Sequence, residues 1–373
     1  MLNLYKLNHI FCNMRILTIT FHHSANYGAT LQTYALHQVI KRMGHENIVF
    51  EYVSKPVSQK MVFSPKVFLR NVYMKIISIL RKEENKRLQE SFIHFHNHHI
   101  AKTRPYNDMD DLRNDVPDVD VLITGSDQVW NIKGTQSFVP ARFLDFGNKN
   151  LLRFSYAASL EKLDYTDEQK SYVKERLKDF KGISLRETSA RDYIHSFTGY
   201  DCVQVLDPVL LLSVAKWNEL AVEPRIKEPY ILCYQVLSHP LMQKTVDYLR
   251  KKTGYKVVSV TPGIVRWINS DYTLYDVSPE EFLGLYKNAK MVVTTSFHGT
   301  AFAILYNKPF VVLAKDGSVN RIRDLLKLFD LKDQLLLNME TISVPDIDYM
   351  KVNAILVKER ERSLSFLRKM LNE

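Results

Sequence analysis

The sequence predicts an α/β protein built of two doubly wound Rossmann-like domains that face each other across a cleft. Three observations carry that expectation. Short apolar runs of strand length alternate with longer segments of helical period, once between 15 and 206 and again between 230 and 329. Several of the apolar runs end in small polar residues, the joints that line the carboxyl edge of a parallel sheet, where ligands bind. Between the two sets, 217–229 holds Pro224, Pro229 and several charges, the composition of an interdomain linker. The expected parts are an N-terminal domain over 14–215, a C-terminal domain over 229–345, and a charged helix over 351–373 folding back across the linker.

A chain of 373 residues, 46% hydrophobic and 25% charged, has the composition of a folded protein long enough for two domains. Cys12, Cys202 and Cys233 form neither a metal-ligand spacing nor a disulfide framework, which points to reduced thiols and a cytoplasmic protein. The first thirteen residues lack a signal-peptide pattern and read as a loose extension or an upstream start; no run of eighteen apolar residues occurs. The formal charge of +10 asks for an anionic partner: nucleic acid, an anionic membrane surface or a phosphorylated substrate. No helix-turn-helix, zinc-finger or RNP-type pattern appears, so nucleic acid is not expected.

Taken in order, 15–21 reads as a strand, 22–28 as a polar loop, 29–43 as a helix and 48–53 as a strand. The loop sets Asn26, Tyr27 and Gly28 at the mouth of the helix. With a single glycine and no Gly-Lys-Ser/Thr, it is neither a dinucleotide fingerprint nor a Walker loop. The segment 55–103 is basic, with Lys60, Lys66, Arg70, Lys75, Arg81, Lys82, Lys86 and Arg87 interleaved with apolar residues at helical spacing. Such a helix either faces the core with a solvated back or rests on an anionic membrane surface. His94, His96, His98 and His99 follow, and without acidic or cysteine neighbours they read as a wet helix end rather than a metal site.

The strand 121–124 ends in Gly125-Ser126-Asp127-Gln128-Val129-Trp130-Asn131. The strand 182–185 runs straight into Arg186-Glu187, where a guanidinium at a strand end offers a two-pronged donor to carboxylate or phosphate. The ordinary alternative for Arg186 is a salt bridge with Glu187 or Asp192. Strand 203–206 closes the first sheet, and Asp207-Pro208 turns the chain out.

In the second half, strand 230–235, helix 240–252, strand 256–260 and helix 279–287 lead to the most strongly written stretch. There 291–294 reads as a strand, 300–306 as a helix, 310–313 as a strand and 321–329 as a further helix. Thr295, Ser296, His298, Gly299 and Thr300 crowd the first joint. The positive end and free N–H groups of the helix suit an anion, Gly299 allows close approach, and His298 is placed to move a proton. A helix-cap or core histidine is the bland alternative.

Five motifs in order resemble the polysaccharide pyruvyl transferase family. They are Asn26-Tyr27-Gly28-Ala29 with Leu31-Gln32, Gly125 to Asn131, Ser184-Leu185-Arg186-Glu187, Leu206-Asp207-Pro208-Val209 and Ser296-Phe297-His298-Gly299. The resemblance implies a GT-B-like architecture and transfer of pyruvate from phosphoenolpyruvate to two hydroxyls of a sugar, as a ketal in an exopolysaccharide or capsule. It implies His298 and Arg186 as catalytic residues and Ser296, Gly299, Thr300 and Arg321 on the donor. Asn26, Tyr27, Gly28, Ser126, Asp127, Gln128 and Glu187 fall on the acceptor side. Phosphoenolpyruvate is then a co-substrate, with no metal or other cofactor. The acceptor is a sugar or lipid-linked oligosaccharide, met at the inner membrane face, with which the basic segment is compatible. Some members carry an arginine where Ser296 stands and a lysine near Ser318; Arg321 or Arg323 then takes over the donor anchoring. The rivals are a GT-B glycosyltransferase using a nucleotide sugar and a non-catalytic protein docked on glycan assembly through the basic segment.

Overall fold

The structure is a computed structural model that describes residues 13–22, 25–52, 76–77, 79–132, 139–261, 268–314 and 319–372. In the N-terminal half, β1 (Arg15–Ile19), β2 (Glu46–Tyr52), β3 (Lys102–Tyr106), β4 (Val121–Thr124) and β5 (Leu152–Ser155) form a parallel sheet of order β3-β2-β1-β4-β5. The pair β6 (Ile183–Leu185) and β7 (Cys202–Gln204) continues it, since Ser155 N donates to Gly182 O at 3.1 Å and Ala158 N to Ser184 O at 3.1 Å. The second half repeats the winding with β8 (Tyr230–Tyr234), β9 (Lys256–Val260), β10 (Tyr272–Leu274), β11 (Met291–Thr294) and β12 (Phe310–Val312), ordered β10-β9-β8-β11-β12. These are two Rossmann-like domains in a GT-B-like arrangement. Strand order reverses beside β1 and β4 in one sheet and beside β8 and β11 in the other, and those crevices place the site.

Every residue of β4, β8 and β11 is buried, as helices covering both faces of a parallel sheet require. The domains meet through aromatic packing: Tyr27 stacks on Phe282 with ring centroids 4.3 Å apart and donates its hydroxyl to Val277 O at 2.7 Å. Trp217, fully buried, lies against Tyr34 on one side and Phe302 on the other. The helix Tyr349–Asn372 spans both halves. Tyr349 donates to Lys308 O in one domain; in the other, Arg360 Nε donates to Leu210 O at 2.7 Å and Ser363 Oγ accepts from Leu206 N at 2.9 Å.

The first part of the basic segment, 53–75 and 78, lies outside the described residues, as does Cys12. What is described is a helix, Lys82–His99, whose Leu88, Phe92 and Phe95 are buried in the core while Lys86 and Arg87 stay outside. The histidines are its last turns. His96 is buried and pairs with Thr30 Oγ1 at 3.0 Å, so this end is not wholly wet; among the described residues no group of His, Cys, Asp and Glu could hold a metal ion. No described helix is long and apolar enough to cross a membrane.

Candidate active site

The helix after β11 is Phe297–Leu305 and begins three residues earlier than its periodicity suggested, because Ser296 is its N-cap: Ser296 Oγ accepts from Gly299 N at 3.3 Å. His298 therefore stands in the first turn rather than in the loop. Thr300, fully buried, returns its hydroxyl to Ser296 O at 2.9 Å. A Cβ on Gly299 would lie 2.2 Å from Thr294 Oγ1, so that glycine is required by the fit of helix on strand rather than by a ligand's approach. The hydroxyls and the glycine that the sequence nominated for the donor thus build the helix start that presents His298.

Across the interface stands the first helix, Tyr27–Arg42, capped by Asn26, whose Oδ1 accepts from Ala29 N at 3.2 Å. Gly28 lies inside this helix, not in a turn. A Cβ there would sit 2.1 Å from Nδ1 of His298. Tyr27 is buried in the domain contact with its hydroxyl engaged, so its side chain faces the other domain rather than a sugar.

Arg186 extends from the end of β6 into the same interface, its side chain 1% exposed. Nε donates to Glu187 Oε1 at 2.8 Å, Nη1 to Asp207 Oδ2 at 2.7 Å and Nη2 to Ser159 Oγ at 3.0 Å; Asp127 Oδ1 is 3.6 Å from Nη2. The guanidinium carbon lies 4.0 Å over the ring of Phe297, the neighbour of His298. Burial works against the cation, yet Glu187, Asp207 and Asp127 together raise its pKa above the ordinary value. The anticipated pairing with Glu187 exists, and Asp192 pairs with Arg191 instead. Every arm of the guanidinium is engaged, so a donor anion reaches it only by displacing a protein group.

The residue on which the two sides meet is Asp207, which the sequence offered as a turn and within one of the five motifs but not as a site residue. Its Oδ2 also lies 3.3 Å from Nε2 of His298, ion-pair distance without the alignment of a directed hydrogen bond. Burial alone would raise its pKa, but the charge of His298 and of Arg186 outweighs it and holds the carboxyl well below the usual carboxylate range. Its signal in the sequence was the Asp-Pro turn after a buried strand; its partners, 21 and 91 residues away, left none.

Arg321 reaches in from the helix Val319–Leu328. Gln128, with its amide oxygen turned toward the guanidinium, accepts from Nη1 at 2.7 Å and from Nη2 at 2.8 Å; Nε is buried with no partner among the described residues. Burial and the nearby charge of Arg186 lower its pKa. Arg323 lies on the exposed side of the same helix, and Ser318 falls outside the described residues. Glu187 is buried, held by Arg186 and by Ser159 Oγ at 2.8 Å through Oε1, while Oε2 has no partner among the described residues; burial raises its pKa despite Arg186 and Arg321. Ser126 is fully buried and donates to Ala157 O at 3.2 Å and Asp207 Oδ2 at 3.3 Å. A second interdomain link lies close by: Ser189 donates its N–H at 2.8 Å and its hydroxyl at 2.6 Å to Asp324 Oδ2.

The structure brings together His298, Arg186, Glu187, Asp127, Gln128 and Arg321, and adds Asp207, Ser159 and Asp324. The space left beside Arg186, Asp207, Phe297 and Asp324 is about 10 Å³, room for one water. Among the described residues, the carboxylate of Asp207 lies between the His298 imidazole and the Arg186 guanidinium.

Comparisons with known proteins bear on this arrangement. No curated protein matches the chain. Among solved structures it is similar to a UDP-GlcNAc 2-epimerase from Methanocaldococcus jannaschii, at 11% identity over 96% of this chain and 99% of that one, TM-score 0.48. It is also similar to a putative UDP-N-acetylglucosamine 2-epimerase from Listeria monocytogenes, at 13% identity over 92% of this chain and 95% of that one, TM-score 0.45. A family model described as polysaccharide pyruvyl transferase matches residues 26–317. With that match running through both domains and taking in both sides of the Asp207 contact, the chain belongs to the polysaccharide pyruvyl transferase family.

Proposed function

We propose that this protein transfers the pyruvyl group of phosphoenolpyruvate to two hydroxyls of a sugar, forming a pyruvate ketal during polysaccharide biosynthesis. The observation that carries the reading is the meeting of His298 from one domain and Arg186 from the other on a single oxygen of Asp207, at 3.3 and 2.7 Å, in a chain of this family. Phosphoenolpyruvate brings a carboxylate and a phosphate and needs cations. Arg321, with a free Nε, and the first-turn N–H groups of the helix Phe297–Leu305 are the groups able to receive it when the cleft opens.

The methylene carbon of the enol gains a proton while a sugar oxygen bonds to the neighbouring carbon. The second hydroxyl then closes the ring on that carbon as the C–O bond to phosphate breaks. One hydroxyl proton is accounted for by the new methyl group and the other leaves with hydrogen phosphate, so no redox partner is needed. His298 is the acid/base for the carbon protonation, an imidazole held at the domain interface 3.3 Å from the Asp207 carboxylate. Glu187 and Asp127 orient the acceptor hydroxyls. His298→Ala should lower acceptor-dependent release of phosphate from phosphoenolpyruvate on the order of a thousandfold, to a measurable residual rate; turnover at the wild-type rate would remove His298 from the mechanism.

A further inference from the structure

Asp207 is built to receive a partner. Its carboxylate accepts from Val209 N at 3.0 Å through Oδ1, and from Arg186 Nη1 at 2.7 Å and Ser126 Oγ at 3.3 Å through Oδ2. All three donors belong to the N-terminal domain, so the anion is fixed in place whether or not the domains are closed. His298 is the fourth neighbour and the one from the other domain. Its ring is confined from behind by Gly28, which leaves no space for even a methyl group, and lies edge-on to Phe297 at 5.3 Å between ring centroids. Other charged groups nearby, Glu187, Asp127 and Arg321, surround Arg186 and are not paired with the imidazole. A buried carboxylate is costly unless paired, and Arg186 alone would pair this one. The added imidazole contact exists only when the two domains are together.

We propose that Asp207 is a positioning residue that docks the His298 imidazole as the cleft closes, so that the acid/base group is oriented only in the closed protein. The catalytic half of this inference rests on the reading of His298 given above; the docking half does not. Closure and proton transfer are thereby coupled through one carboxylate, and an open protein holding donor without acceptor has no aligned imidazole with which to protonate it.

The test is a double-mutant cycle on the full chain, with Asp207→Asn, His298→Gln and the double variant. It is read as kcat for acceptor-dependent phosphate release and as the dissociation constant of phosphoenolpyruvate by calorimetry. Asp207→Asn should lower kcat on the order of a hundredfold without weakening donor binding, and the double variant should be no slower than His298→Gln alone. Losses that multiply in the double variant would overturn the proposal, as would an equal loss in donor affinity and kcat. Activity retained by His298→Gln would defeat the functional reading instead, which keeps the two failures apart. If Asp207→Asn does not fold, Ser126→Ala thins the same carboxylate's support. It should cost a few-fold in kcat in the wild-type background and nothing further beside His298→Gln; an equal cost in both backgrounds would overturn the proposal.

Discussion

The helix starts at Tyr27 and at Phe297 are built alike and do opposite things. Each follows a strand at a topological switch point, each is capped by a side-chain oxygen, Asn26 or Ser296, and each has a small residue in its first turn. The second presents His298 to the interface, and the first presents Gly28, which is the space His298 occupies. A glycine inside a helix costs about 1 kcal/mol relative to alanine. That cost is accepted at Gly28 because the ring of a residue 270 positions away lies where a Cβ would stand. The same local structure thus serves chemistry on one side and clearance on the other, and the closed interface needs both.

The comparison breaks most sharply at its empty side. Gly28→Ala improves the local helix on propensity alone, yet its methyl group must displace His298. It should cut phosphate release on the order of a hundredfold, and destabilise by about 1–3 kcal/mol as overpacking does. A variant more stable and equally active would show that the ring has other room. The next effect belongs to the latch between the domains. Asp324→Ala leaves two donors of Ser189 without their acceptor and should cost about 1–3 kcal/mol, visible as a lower midpoint in thermal unfolding. It should also lower kcat without weakening donor binding, since the open protein takes the donor and a smaller fraction then closes; unchanged kcat would place closure elsewhere. The smallest effect tests the likeness itself. Asn26→Ala and Ser296→Ala should each cost about 1 kcal/mol in stability, but only Ser296→Ala should also lower kcat, because only that cap orients the histidine. Equal kinetic losses would mean that the two starts are not distinct in role.

Much of this was legible in the sequence. The alternation of apolar runs with helical periods gave both sheets, and the polar joints marked the strand edges that hold His298, Arg186 and Asp127. Where the reading fell short, the cause was long-range contact. Gly28 was set at the mouth of the helix on the acceptor side, because the ring it makes room for is its neighbour in space and not in the chain. Asp207 looked like a turn because its partners come from β6 and from the other domain. Tyr27 read as a ligand-facing residue, whereas stacking on Phe282 places it in the domain contact. The helix start at Phe297 was set late by periodicity, which cannot see that Ser296 caps it. The edge strands β3 and β10 escaped notice because Lys102–Tyr106 and Tyr272–Leu274 are short and only partly buried.

The proposed function separates from a nucleotide-sugar transferase at the ligand: a three-carbon phosphorylated acid, and not a nucleotide sugar, is what these two domains are proposed to hold. Thermal unfolding of the full chain with each ligand in turn tests it most directly. Phosphoenolpyruvate at a hundred times its dissociation constant should stabilise the protein by about 2.7 kcal/mol, with UDP and GDP sugars leaving the transition where it was. Stabilisation by a nucleotide sugar with no response to phosphoenolpyruvate would contradict it.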